Sequence, residues 1–123
     1  MILVDSSVWI DHLRYGDVEL TRLLNAGQVQ THRFVIGELA LGSLQNRHIV
    51  LSALQNLPQV TVASDDEVLQ FIETHSLFGT GIGYIDAHLL AAVRLSPGVL
   101  LWTRDKRLLA ESVRLGLSVN LAH

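Results

Sequence analysis

The chain contains no cysteine, which removes disulfides and thiolate metal sites together. That fits a reducing compartment, and the cytoplasm is the expected location. Long hydrophobic runs are missing too: no apolar stretch reaches the ~18 residues needed to span a bilayer. Met1 leads directly into Ile2-Leu3-Val4 without a basic leader segment, so neither secretion nor membrane insertion is expected. Charge is sparse at 17% of residues, and a net charge of −3 argues against a protein that grips nucleic acid by bulk electrostatics. Any such contact must come from a local basic patch. Several catalytic signatures are also absent. The six histidines form no H-E-x-x-H pattern and no helical i, i+4 pair. There is no G-x-S-x-G elbow, no Gly-rich Walker loop and no D-x-D pair, so covalent intermediates have little support.

What remains is a chain of 123 residues, close to the size of one domain, and residues 1–123 read as one domain without a linker or repeat. It is 49% hydrophobic with a mean hydropathy of +0.34. Such a chain buries roughly two thirds of its unfolded surface and is not disordered. Ile2-Leu3-Val4 predicts a strand that passes through Asp5-Ser6-Ser7 into a helix ending near Arg14. Asp17 caps a second helix, which stops at Gly27, and Gln28 to Thr31 is a weak strand. Apolar density predicts a buried helix from Phe34 to Leu44 and another from Ile49 to Leu57, ended by Pro58. Val60 to Val62 reads as a third strand. Ser64 and Glu67 stand at capping-box spacing and open a helix to about His75. Tyr84 to Leu95 is a helix of low polarity, Val99 to Trp102 the clearest buried strand, Arg104 to Leu115 a helix, and Leu117 to Leu121 a last strand. Strands alternating with helices, without hairpin turns, define an α/β fold with a parallel sheet.

Four carboxylates stand out: Asp5, Glu38, Asp86 and Asp105 lie where apolar runs end or inside them. Charge beside core segments carries a desolvation cost unless a cation compensates. Sites in parallel sheets form beyond the carboxyl ends of the strands, where Asp5 and Asp105 share an edge and Asp86 lies near it if its helix feeds the Val99 strand. Helix capping is an alternative account of Asp5, Asp86 and Asp105 taken singly, worth about 0.3 to 1 kcal/mol each. Glu38, surrounded by Phe34, Val35, Ile36, Leu39 and Leu41 in mid-helix, escapes that account, although an exposed or snorkelling glutamate remains an alternative. If the four converge, their repulsion calls for protons or for divalent cations, and two such ions would balance them. Oxygen-only ligation selects Mg²⁺ or Mn²⁺, and carboxylate-held metal suits phosphodiester hydrolysis by water.

Trp102-Thr103-Arg104-Asp105-Lys106-Arg107 places three cations around one of these acids. Cations at a helix N-terminus oppose its dipole, so Arg104, Lys106 and Arg107 are candidates to meet phosphate, with an ordinary solvated face as the alternative. Trp102 is either core or a stacking platform for a base. His88, two residues after Asp86, is either packed or a base, and the Gly79-Thr80-Gly81-Ile82-Gly83 loop reads as a flexible lead into the Asp86 helix.

The segments Met1-Ile-Leu-Val-Asp5-Ser-Ser-Val-Trp-Ile-Asp11, Gly37-Glu38-Leu39, Gly83-Tyr-Ile-Asp86-Ala-His-Leu-Leu and Trp102-Thr-Arg-Asp105-Lys-Arg-Leu together resemble a PIN domain of the VapC toxin type. The resemblance runs from end to end. It implies a PIN-like three-layer α/β/α fold with a central, mainly parallel sheet, and Mg²⁺-dependent endoribonuclease activity. It also implies a VapB-like antitoxin as partner and a homodimer. Carried over by position, Asp5, Glu38, Asp86 and Asp105 match the family's acidic quartet, Thr103 the hydroxyl of its T-x-D element, and Ser6 the small hydroxyl residue after the first aspartate. Two other functions compete with this reading. A receiver-type phosphoacceptor also clusters acids at strand ends, but Asp5-Ser6 lacks its early acidic pair. A non-catalytic PIN-like module would use the groove only to capture a basic tail.

Overall fold

The computed structural model describes residues 1–121. Its sheet has three parallel strands in the order β2-β1-β3, with β1 at Ile2–Val4, β2 at Val29–Gln30 and β3 at Leu100–Trp102. Ile2 pairs with Val29 on one side and Leu100 on the other, and Val4 pairs with Trp102. The centre of the sheet is the N-terminal strand because it is apolar throughout: Leu3 and Val4 are fully buried, as a strand covered on both faces must be.

Parallel neighbours require crossovers, and helices supply them. Between β1 and β2 run α1 (Ser6–Tyr15) and α2 (Val18–Asn25). Between β2 and β3 lie α3 (Arg33–Ala40), α4 (Arg47–Asn56), α5 (Asp65–Thr74) and α6 (Tyr84–Leu95), and α7 (Lys106–Arg114) follows β3. The helices flank the sheet in the expected three-layer α/β/α arrangement. α6 packs on β3 and α5, while α1 packs on α3 and α3 on α4. Every residue of α6 from Ala87 to Val93 is buried, so its lack of polarity is that of a helix with no solvent face across its middle.

Three expected elements differ. Val60 to Val62 forms no strand: one parallel bridge joins Thr31 to Gln59, Val60 N donates to Thr31 O at 2.9 Å, and then Thr61 N turns away to Ser96 Oγ. Pro58 offers only its carbonyl there, to Thr31 N, because proline has no N–H to extend the ladder. Leu117 to Leu121 likewise reduces to one bridge, between Leu101 and Ser118. The buried helix expected to reach Leu44 stops at Ala40. Its end is tightened by Leu41 N donating to the Gly37 and Glu38 carbonyls, and the Arg47 guanidinium caps the carbonyls of Ala40 and Gly42. Only Val35 and Leu39 of that helix are buried.

Candidate active site

Asp5 occupies the carboxyl end of the central strand, where its N–H bonds the Trp102 carbonyl at 2.9 Å. The residue is 4% exposed, and all of its side-chain hydrogen bonds fall on one oxygen. Oδ2 accepts from Ser7 Oγ at 2.7 Å, from Thr103 Oγ1 at 2.8 Å and from Ser7 N at 3.4 Å. Each hydroxyl has a single proton and gives it to Asp5. Their lone pairs then accept backbone N–H groups: Ser7 Oγ from Arg104 and Thr103 Oγ1 from Asp105. Ser7 and Thr103 thereby join the β1–α1 junction to the β3–α7 junction and fix one face of the Asp5 carboxylate. Thr103 reads from the sequence as the hydroxyl of the T-x-D element with Asp105, not as a partner of Asp5. Ser7 is not singled out there, since Ser6 is the serine matched to the small hydroxyl position after the first aspartate. Ser6 instead reaches Glu38 Oε1 at 3.3 Å. The only signal for Ser7 in the sequence was its place in a helix-opening cluster, two residues past an N-cap aspartate.

The other three acids approach from separate elements. Glu38 rides on α3, Asp86 sits in the first turn of α6 with Oδ2 accepting Gly83 N at 3.2 Å, and Asp105 caps α7 by accepting Leu108 N on Oδ1 at 3.0 Å. Capping therefore does operate at Asp5, Asp86 and Asp105, but it engages one oxygen of each. Among the described residues, no protein donor reaches Asp5 Oδ1, Glu38 Oε2, Asp86 Oδ1 or Asp105 Oδ2. None of the four forms an ion pair with a described cation either.

Their charges are felt mutually. The Glu38 side chain is exposed, yet partial desolvation against the neighbouring elements raises its carboxyl above the ordinary value, and Asp5 and Asp86 raise it further, against a lowering from Ser6. Burial likewise raises Asp86, opposed by the Gly83 N–H and reinforced by Asp5 and Asp105. Glu38 thus feels the charges of Asp5 and Asp86, and Asp86 those of Asp5 and Asp105. They form an acidic pole with oxygens to offer and no ion pair to a cation among the described residues. No three acidic or histidine side chains among the described residues are close enough to hold one ion by themselves. This donor set fits a hard divalent cation that takes one or two carboxylates and keeps water in its other positions.

The cations expected around Asp105 are arranged unequally. Arg104 is not free to meet phosphate: its guanidinium pairs with Asp11 Oδ2 at 2.8 Å and Asp17 Oδ2 at 2.5 Å, and lies 5.5 Å from the Trp102 ring. Asp11 in the middle of α1 and Asp17 at the start of α2 each take one guanidinium nitrogen through one oxygen, in charge-assisted hydrogen bonds. Arg107 lies along the Gly81 loop, 3.5 Å from its carbonyl, and Lys106 is exposed. Trp102 is core, 1% exposed. His88 is packed, 2% exposed, with Nε2 3.1 Å from Asp65 Oδ1.

A small parallel sheet, helices on both faces and four acids gathered from β1, α3, α6 and the β3–α7 junction define a PIN domain. The chain belongs to that family: the PIN domain matches residues 2–112. It is 49% identical over 119 residues to Ribonuclease VapC32 of Mycobacterium tuberculosis (strain CDC 1551 / Oshkosh), covering 97% of this chain and 96% of the relative. The same identity and coverage hold for Ribonuclease VapC32 of strain ATCC 25618 / H37Rv. The family resemblance read from the four short motifs is confirmed, and the receiver-type alternative is set aside. Among the described residues no helix is long and apolar enough to cross a membrane.

Proposed function

We propose that the chain is a divalent-metal-dependent endoribonuclease, the toxin component of a toxin–antitoxin pair, with Mg²⁺ as its metal and Asp5, Glu38, Asp86 and Asp105 as its catalytic acids. One observation carries the reading: four carboxylates that feel one another's charge each keep one oxygen without a donor among the described residues, and none of them is in an ion pair with a described cation. The name of the 49% identical relatives, Ribonuclease VapC32, supplies the substrate class, RNA, and the resemblance to VapC toxins supplies the expectation of a VapB-like antitoxin. A metal held here provides Lewis-acid activation of water and neutralises charge developing on the phosphoryl oxygens.

The protein's own groups set the geometry. Asp5 offers Oδ1 from a carboxylate whose other oxygen is locked by Ser7 and Thr103. Asp86 offers Oδ1 from a helix start fixed by its bond to Gly83. Glu38, raised above its ordinary value by partial desolvation and by Asp5 and Asp86, and open to solvent, is suited to take the proton of an attacking water and pass it on. Asp105 completes the acidic pole, and Lys106 and Arg107 beside it offer charge to the flanking phosphates. In-line attack by water leaves a 5′-phosphate and a 3′-hydroxyl. The purified protein is expected to cut single-stranded RNA in Mg²⁺, to stop in EDTA, and to lose activity in Asp86→Asn. Equal cutting in all three would overturn the reading, and tight capture of a basic peptide without metal-dependent cutting would favour a non-catalytic module.

A further inference from the structure

A groove of about 580 Å³ opens between α1 and the connection from α3 to α4. That volume lies within the range of small-molecule sites, roughly 300–1,000 Å³. Glu38 forms part of its wall, so the groove begins where the acidic centre ends. Around it stand Arg14, Tyr15, Gln45 and Asn46, with Ile10 and Leu13 as the apolar side. The polar members are unengaged: none of these four side chains hydrogen-bonds to another described residue, and Arg14 has no carboxylate partner among them. Tyr15 is 81% exposed at the end of α1. Asn46 stands at the N-cap of α4, the position where an asparagine ordinarily bonds the helix N–H groups, yet it makes no such bond and holds a left-handed φ of 52°.

We propose that this groove is a nucleotide subsite, receiving the base that flanks the scissile phosphodiester, with Tyr15 stacking on the base and the Gln45 and Asn46 amides reading its edge. The inference rests on the nuclease reading above and adds the origin of sequence preference. The chemistry is that of single-stranded RNA recognition: an aromatic face for an unstacked base, amides carrying both donors and acceptors for its edge, and a guanidinium, Arg14, for the adjoining phosphate. Apolar Ile10 and Leu13 floor the space beneath the ring and sugar.

The test compares wild type, Tyr15→Ala, Tyr15→Phe, Gln45→Ala and Asn46→Gly on a pool of short single-stranded RNAs with randomised bases around the cut. Glycine keeps the left-handed backbone at position 46, and an exposed tyrosine can be truncated without touching the core. Tyr15→Ala should raise KM about tenfold with kcat within about twofold of wild type, as loss of one stacking contact does. Tyr15→Phe should restore KM, and the two amide variants should broaden base preference at the flanking position. Wild-type KM and unchanged cut sites in all the variants would overturn the proposal, as they would if a protein partner rather than RNA filled the groove. Should the wild type cut no RNA, the nuclease reading itself fails. The subsite is then judged by RNA affinity alone, where equal Kd for wild type and Tyr15→Ala overturns it.

Discussion

Asp86 is the residue at which chemistry and stability oppose each other. Its carboxyl is raised above the ordinary value by burial and by the charges of Asp5 and Asp105, so the folded, metal-free protein holds that proton more tightly than the unfolded chain does. The cost is absent below the unfolded value of 3.8, grows as pH rises past it, and is complete above the raised folded value. Asp86→Asn removes the charge, keeps the shape and keeps an acceptor for Gly83 N. It should lower RNA cleavage by about 10²–10³-fold, the scale of losing one preorganised electrostatic group. At pH 7 in EDTA it should melt about 2–4 °C above wild type. A variant that is inactive and also less stable would indicate that Asp86 serves the fold first. The serines separate in the same way. Ser7→Ala withdraws a donor from buried Asp5 and an acceptor from Arg104 N, and should cost about 10–100-fold in activity, as loss of a ligand-orienting partner does. Ser6→Ala removes one 3.3 Å bond to Glu38 and should cost less than about tenfold. The reverse ranking in kcat/KM would contradict the Ser7–Thr103–Asp5 arrangement.

Among the elements, α3 is the least conventional. It is capped by His32, whose Nδ1 accepts Phe34 N at 3.0 Å while the ring is fully buried. Burial, with His88 and Arg33 adding to it, pushes His32 down to about 4, so it is a neutral cap. A depressed base contributes stability that is complete above its unfolded value, 6.5, and is lost as pH falls toward 4. His32→Asn retains a side-chain acceptor and cannot titrate. The stability difference between wild type and this variant, measured by urea denaturation from pH 7 to 4, should change by as much as about 1.4 kcal/mol per pH unit. Parallel curves would show that His32 titrates alike in the folded and unfolded chain, so that burial does not depress it. A histidine cap carries no signature in sequence, whereas the elements with conventional signals were legible: the Ser64–Glu67 capping box of α5 and the apolar run of β3 both form where their residues indicated. The edge segments were misread because β-rich composition at Val60–Val62 and Leu117–Leu121 says nothing about whether a neighbour continues the ladder. The site shows the same division. Asp5, Glu38, Asp86 and Asp105 were visible as charges set against apolar runs, but Ser7 and the capture of Arg104 by Asp11 and Asp17 depend on contacts across 87 to 97 residues of chain.

For the molecule as a whole, the balance of charge sets how RNA is held. The net charge is −3, and of nine cationic side chains Arg22, Arg104 and Arg114 are already in ion pairs. Around the acidic centre this leaves Lys106 and Arg107 beside Asp105, and Arg14 on the groove next to Glu38. With only these three cations near the acidic centre the protein cannot gain much from releasing counterions there, and the acidic pole repels phosphate until a divalent cation screens it. RNA affinity should therefore rise on adding Mg²⁺, opposite to the weakening that added salt brings to a strongly basic binder. With about three phosphate contacts, the slope of log K against log salt for single-stranded RNA should be about −2. The measurement uses Asp86→Asn, which leaves the substrate intact, titrated with a short RNA over a range of KCl at fixed Mg²⁺. Arg104→Ala should leave that slope unchanged, because Arg104 is tied to Asp11 and Asp17. A slope steeper than about −4, or one that falls on removing Arg104, would mean that a larger cationic surface grips the RNA, and the basic cluster before α7 would then act in full on the substrate.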